Sequence, residues 1–242
     1  MPSSKRRAAG SGSGPRKPDA ARTRQDILRA ARQEFSEHGL SGARVDAIAA
    51  RMRTTKRMLY YYFGSKEGLY LAVLEQVYGD IRSVEQELDL ASLSPVEAIR
   101  RMIEFTFDYE EAHPEFIRLV SIENIHHGRH LAQSSTLQKQ NLIVIDTLTG
   151  ILERGRRAGV FRLDIDAVDL HLMISAFCFF RVSNRHTFGI LFGCDLTAPL
   201  LRAKHKQMIG DAIIRMLETT GDARRRSDPR TANGRGQRGR QR

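Results

Sequence analysis

Residues 53–66 read Arg53-Thr54-Thr55-Lys56-Arg57-Met58-Leu59-Tyr60-Tyr61-Tyr62-Phe63-Gly64-Ser65-Lys66. Arg53-Thr54 reads as a turn and Thr55 as a helix N-cap, because its hydroxyl can accept from a free backbone N–H of the first turn. The helix that follows runs from Lys56 to about Phe63, where Gly64-Ser65 breaks it. Helical spacing puts Leu59, Tyr62 and Phe63 on an inward face and leaves Lys56, Arg57 and Tyr61 pointing away from it.

Upstream, Ile27, Leu28, Ala31 and Phe35 form one face of a first helix that ends near His38-Gly39, where glycine can take the left-handed conformation of a helix stop. Val45, Ile48, Ala49 and Met52 fall at i, i+3, i+4 and i+7 of a short second helix. Downstream, Ser65 with Glu67 and Gly68 opens a longer fourth helix with Tyr70, Val73, Leu74, Val77, Ile81, Val84 and Leu88 on one face. Three short helices thus feed a long one, which is expected to pack on both an N-terminal head and the body.

The rest of the chain keeps the helical period, and the alternation of a strand is missing. Ser94-Pro95 starts a fifth helix that ends at His113-Pro114. Helices follow at about 115–127, 135–157, 166–183 and 199–219, with a loop or short helix at 185–195. The expected class is all-α. The segment from Asp166 to Ser183 is apolar nearly all round, so it must be covered on both sides.

At 242 residues, with 41% hydrophobic and 28% charged side chains, the composition is that of a soluble globular chain of one or two domains. No stretch approaches the roughly 20 apolar residues that cross a bilayer, and the N-terminus lacks the apolar region of a signal peptide. Cys178 and Cys194 cannot build a disulfide framework and sit in no metal spacing, which suits a reducing, cytoplasmic setting.

The net charge of +11 is unevenly placed. Residues 1–19 carry +4 and 222–242 carry +6, while 20–66 carry +6 and 67–221 carry −5. Both end segments are rich in Ser, Gly, Arg, Ala and Pro, and are expected to be disordered basic tails. The Arg/Gly run 234–240 can also hold polyanions loosely. A basic module at 20–66 therefore precedes an acidic body at 67–221.

Two helices joined by a tight turn, the second short, basic and aromatic, form the unit that lets one helix lie in a DNA major groove of about 12 Å. Arg57 can make two parallel hydrogen bonds to guanine, whereas Lys56, Tyr61 and Lys66 suit phosphates, and Arg44 at the start of the second helix can reach the backbone.

The stretch Thr23-Arg24-Gln25-Asp26-Ile27-Leu28, with Phe35, Gly39, Val45, Ile48-Ala49 and Leu59 to Glu67, resembles the TetR family of bacterial transcriptional regulators. The resemblance implies an all-α homodimer with an N-terminal helix-turn-helix and a C-terminal ligand-binding domain, and repression relieved by a small molecule. It also implies phosphate contacts at Tyr61 and Lys66, and base reading from Thr55, Lys56, Arg57 and Met58. The family often has Gly-Val in the turn, where this chain has Arg53-Thr54, and Thr or Ser where it has Arg44.

The body has no nucleophile elbow, phosphate-cradling loop or paired carboxylates, so no catalytic site, cofactor or enzyme activity is assigned. Candidate ligand contacts are Phe116, Glu123, His126 and His127 on one side and Phe177, Phe180, Arg181 and Asn184 on the other. This set would suit a small aromatic or heterocyclic acid, as would a further likeness of 114–184 to family members that sense pyrimidine or nicotinate catabolites. Alternatively the aromatic residues are core, and Glu123, His127 and Arg129 only cap a helix and form surface ion pairs. His126 and His130 would share a face if the helix continued through Gly128, but no third ligand is evident and no metal is assigned.

The resemblance implies a subunit interface formed by the last two long helices, whose apolar surface suits it, and a two-fold dimer is expected on a roughly palindromic double-stranded operator. The rival readings are a constitutive or activating regulator, and a general nucleic-acid binder driven by the tails.

Overall fold

The computed structural model describes residues 20–218; the segments expected as basic tails, 1–19 and 222–242, lie outside the described residues. Those residues form ten α-helices and one short 3-10 helix, Leu131–Gln133, with no strand among them. In order the helices are α1 (Ala20–Gly42), α2 (Val45–Arg51), α3 (Lys56–Phe63), α4 (Lys66–Gln86), α5 (Pro95–Ala112), α6 (Pro114–Ile125), α7 (Ser135–Arg157), α8 (Ala167–Ser183), α9 (Arg185–Phe192) and α10 (Pro199–Glu218). The all-α class is as expected. The chain divides into two compact units between Gln76 and Val77, and α4 contributes to both.

In the first unit α1 packs on α2, and α2 on α3. The buried side chains come from the periodic positions: Ile27, Leu28, Ala31 and Phe35 of α1, Ile48 of α2 and Leu59 of α3. Phe35 meets Tyr70 of α4 edge to face at 5.1 Å, a geometry that adds about 0.5–1.5 kcal/mol to area burial. At Gly39 the backbone takes φ 66°, so the expected stop is a kink followed by one more turn to Gly42.

In the second unit α5 packs against α6, α7, α8 and α10. It begins with a capping box in which Ser94 and Glu97 satisfy each other's backbone amides. Pro114 then starts α6 at the position where a missing N–H costs nothing. Ser134 caps α7 and Asp166 caps α8, each accepting a first-turn amide. After α7 the chain doubles back: Phe161 lies so close to Gly155 that a Cβ there would fall 1.9 Å from the ring. The amides of Arg162 and Leu163 then donate to Leu217 O at the end of α10.

The apolar wrap of α8 is covered on one side only. Leu170, Ile174, Cys178 and Val182 are buried, while Val168, Leu172, Phe177 and Phe180 are exposed. The same holds for α10, where Ile209, Ile213 and Leu217 are buried and Leu200 and Met208 are open. No described helix is long and apolar enough to cross a membrane.

Candidate functional site

The turn between α2 and α3 is a Schellman motif, as its backbone bonds require. The Arg53 amide donates to Ala50 O (3.2 Å) and the Thr54 amide to Ala49 O (3.0 Å). Arg53 sits at the left-handed position with φ 51°, where glycine is the strain-free residue. Thr55 caps α3 as expected, accepting the Met58 amide at 3.4 Å.

Arg44 stands at the N-cap of α2 but makes no side-chain cap. A buried carboxylate on α1 holds this helix instead. Glu34 Oε1 accepts the Arg44 amide at 3.0 Å, and Glu34 Oε2 lies 3.3 Å from the Arg51 guanidinium at the far end of α2. Glu34 thus fixes both ends of α2 against α1, a role that sequence reading missed because an isolated Glu among helical polar residues gives no signal of burial.

Leu59 is the anchor of α3, at 1% exposure, with Tyr62 and Phe63 half-buried beside it. The Arg24 guanidinium lies over the Phe63 ring at 5.2 Å. Lys56, Arg57, Met58 and Tyr61 all face outward, Tyr61 at 79% exposure. Lys56 Nζ pairs with Asp46 Oδ2 at 3.0 Å and Lys66 Nζ donates to Ser41 O at 3.5 Å. Both partners lie within three residues of the exposed Arg44, so the three cations and α3 belong to one surface. An exposed pair such as Lys56–Asp46 contributes only about 0–1 kcal/mol, so a phosphate can replace the aspartate at little cost.

The eight candidate ligand residues do not form one pocket. Glu123, 1% exposed, receives the His130 and Leu131 amides (3.2 and 3.3 Å) and faces His130 Nδ1 at 2.7 Å. It clasps the turn after α6. That helix ends at Ile125 in a second Schellman turn, with His127 at φ 57° and Gly128 at 67°. His126 and His127 consequently point to solvent, and the His126 and His130 rings lie edge-on at 6.4 Å rather than converging. Among the described residues no group of three ligating side chains is placed to hold a metal.

Phe177, Phe180 and Arg181 line an apolar surface groove of about 520 Å³ with Phe188, His205 and Met208. The Arg181 guanidinium is already engaged by Glu111 (2.7 Å), Leu196 O (2.7 Å) and His205 (2.9 Å), and stacks on Phe107 at 4.4 Å. Asn184 ends α8, its amide bonded to Phe180 O. Only Phe116 lines the interior cavity of the second unit.

That cavity, about 200 Å³, is bordered by Tyr78, Arg82 and Glu85 of α4, Glu110 of α5, Asn141 of α7 and His171 of α8, with Phe116 and Phe179 as aromatic walls. Arg82 and Glu85 pair within it. Burial raises the Glu85 carboxyl and lowers the Arg82 guanidinium, and each partner opposes the other's shift. Burial also pushes Glu110 up to about 8, only partly offset by Arg82. His171 is held down to about 4 by burial and then by Arg82, and burial takes Tyr78 up to about 12. At neutral pH the values for Glu110 and His171 correspond to a protonated carboxyl and a neutral imidazole beside the Arg82–Glu85 pair. Among the described residues Arg82 Nε and Glu110 Oε2 are buried without a hydrogen-bond partner, an arrangement that costs roughly 1–3 kcal/mol per group unless something else supplies the bond.

Sequence reading passed over these polar residues, although the signal was present. Glu110 continues the apolar stripe Ile99, Ile103, Phe107, and His171 is an ionisable residue inside an otherwise apolar run. On α4 the expected apolar Val84 is 42% exposed, and Arg82 and Glu85 are buried in its stead.

Two family signatures match the chain. That of bacterial regulatory proteins of the tetR family covers residues 27–73, and that of the tetracyclin repressor-like C-terminal domain covers residues 95–213. The transcriptional repressor NicS of Pseudomonas putida is 38% identical over 204 residues, spanning 84% of this chain and 96% of that protein. The transcriptional regulator RutR of Escherichia coli K12 is 36% identical over 97 residues, or 40% of this chain and 45% of RutR. In structure, the ketosteroid transcriptional regulator KstR2 of Mycobacterium tuberculosis superposes with a TM-score of 0.59 at 20% identity, over 88% of this chain and all of that one, which shows the shared fold. Regulators of this kind bind operator DNA and small-molecule effectors, and dimerise. The chain is a DNA-binding transcriptional regulator and belongs to the TetR family.

Proposed function

We propose that this regulator is a cytoplasmic repressor that leaves a roughly palindromic operator when a small molecule occupies its second unit. The carrying observation is the outward face of α3, where exposed Arg57 and Tyr61 flank a buried Leu59. In this reading residues 20–66 bind DNA and 67–221 bind ligand and partner subunit. Arg57 reads a base pair with Thr55, Lys56 and Met58 beside it, and Tyr61, Lys66 and Arg44 hold phosphates.

The second subunit covers the open sides of α8 and α10. Leu172, Phe177, Phe180, Leu200 and Met208, exposed in one chain, form the apolar stripe that a two-fold helical interface needs. Two α3 helices then face half-sites about one helical turn apart.

The effector is a small aromatic or heterocyclic acid held in the interior cavity. Phe116 and Phe179 supply ring contacts and Arg82 an anion partner. An effector that binds one conformation of the body better than another shifts operator affinity by mass action. Genome-wide footprinting finds the operator, and titration of single-ring acids into the operator complex tests release. A bound acid that leaves operator affinity unchanged contradicts the effector-release reading.

A further inference from the structure

Helix α9 buries none of its residues. Its last turn holds Ile190, Leu191 and Phe192 at 84%, 75% and 67% exposure, on the order of 400 Å² of apolar side chain at ~200 Å² for a large residue. That matches the largest apolar patch a soluble monomer usually leaves open, ~300–600 Å², and is about half of the ~800 Å² per partner that a specific interface covers. The patch does not stand alone. The Phe192 ring lies 4.5 Å from Phe188, and Phe188 meets Phe180 edge to face at 6.1 Å, so a run of three rings leads from the end of α9 into the groove of about 520 Å³ between α8 and α10. Among the residues lining that groove only Arg181 and His205 are ionisable. They bond each other at 2.9 Å, and Arg181 also donates to Glu111 and Leu196 O. The groove therefore fits an apolar guest.

We propose that α9 is a third element of the dimer interface: Ile190 and Leu191 of one subunit enter the groove of its partner, and the same contact is made in return. The proposal rests on the pairing of α8 and α10 given above and extends it. Helical spacing sets Phe192 on the Phe188 side, towards the chain's own groove, and Ile190 on the opposite side, open to solvent in the single chain. Ridge and groove adjoin on one chain, so a two-fold axis close to their junction lays each ridge on the other's groove. An isologous contact of this kind occurs twice and closes. A small apolar ligand in the groove would leave the end of α9 in water, whereas a second copy covers both.

Photo-cross-linking tests this on the full-length protein with p-benzoylphenylalanine in place of Ile190, irradiated and run on a denaturing gel. A dimer-sized adduct whose linked peptides contain residues 176–180 or 205–212 is expected. An adduct linked only elsewhere, or none of dimer size, overturns the proposal. Sedimentation equilibrium gives a second readout. The double variant Ile190→Asp, Leu191→Asp is expected to dimerise at least tenfold more weakly, because a carboxylate cannot enter an apolar groove unpaired, with unchanged helical content by circular dichroism since both positions are exposed. If that variant fails to fold, the cross-link alone decides. Leu172→Asp on α8 separates the two readings. A double variant that dimerises as wild type, beside a monomeric Leu172→Asp, overturns the α9 contact and leaves the pairing of α8 and α10 standing. Dimer loss in the double variant with Leu172→Asp still dimeric does the reverse.

Discussion

Glu34 and Arg51 form an ion pair of 3.3 Å in which the carboxylate side chain is 4% exposed and the guanidinium 37%. The same carboxylate accepts the Arg44 amide, so one α1 residue sets the angle of α2 and, through the turn at Arg53, the direction of α3. Glu34→Ala is expected to lower the stability of the first unit by about 1–3 kcal/mol, the range for a lost hydrogen bond to a charged group plus an orphaned partner. Circular dichroism melting should show an earlier transition and operator affinity should fall with it; an unchanged melt contradicts the clasp.

The strained turn gives a prediction of opposite sign. Arg53→Gly relieves a left-handed backbone worth about 1–2 kcal/mol and adds unfolded-state entropy costing about 0.5–1 kcal/mol. A net gain of roughly 0.5–1 kcal/mol in urea denaturation is expected, and a loss would mean that the Arg53 side chain makes contacts that outweigh the strain.

On α3, Arg57→Ala is expected to weaken binding to the preferred operator by about 1–3 kcal/mol and to relax preference at one base pair. Tyr61→Ala should weaken binding to all duplexes alike with the salt slope unchanged, because a neutral phenol that bonds a phosphate displaces no counterion. The double variant retaining wild-type affinity in a gel-shift titration contradicts the proposed reading face.

Glu110 makes stability depend on pH. Its folded value of about 8, against 4.5 for the free carboxyl, means that the folded chain keeps a proton the unfolded chain has released. This contribution is fully present below 4.5 and is lost as pH rises towards 8, by at most about 1.4 kcal/mol per pH unit. His171, lowered from 6.5 to about 4, acts oppositely, its contribution being present above 6.5 and lost as pH falls to 4. Between pH 6.5 and 8 Glu110 acts without it. Urea denaturation there should show Glu110→Gln with a flatter pH dependence than wild type; parallel slopes contradict the assignment.

Leu172 is 65% exposed in a single chain, so a charge there costs the monomer fold little. Leu172→Asp is expected to turn the dimer into a folded monomer in analytical ultracentrifugation and to cut operator affinity at least tenfold by uncoupling the two half-sites. A variant that sediments as wild type places the interface elsewhere.

The helices and their order were legible in the residues themselves. Thr55 before a basic run, Ser94-Pro95 before a periodic one and glycines after others are local signals, because caps and breaks depend on backbone groups within a few positions. Leu59 inward and Tyr61 outward follow from the helical period alone, so the outward face of α3, proposed as the reading face, needed no fold to be named. The burial of Glu34, Arg82 and Glu110 was not legible in this way. A charged residue on a helix is solvated unless another element covers it, and which element does so is decided by packing between segments far apart in sequence. Tertiary structure likewise ended α6 at Ile125, turned His126 away from His130, engaged Arg181 with Glu111 and left one side of α8 uncovered. Local chemistry determined the α3 helix and its outward face; only the assembled helices of the second unit, by excluding water from Arg82 and Glu110, decided that these charged residues are buried around a cavity.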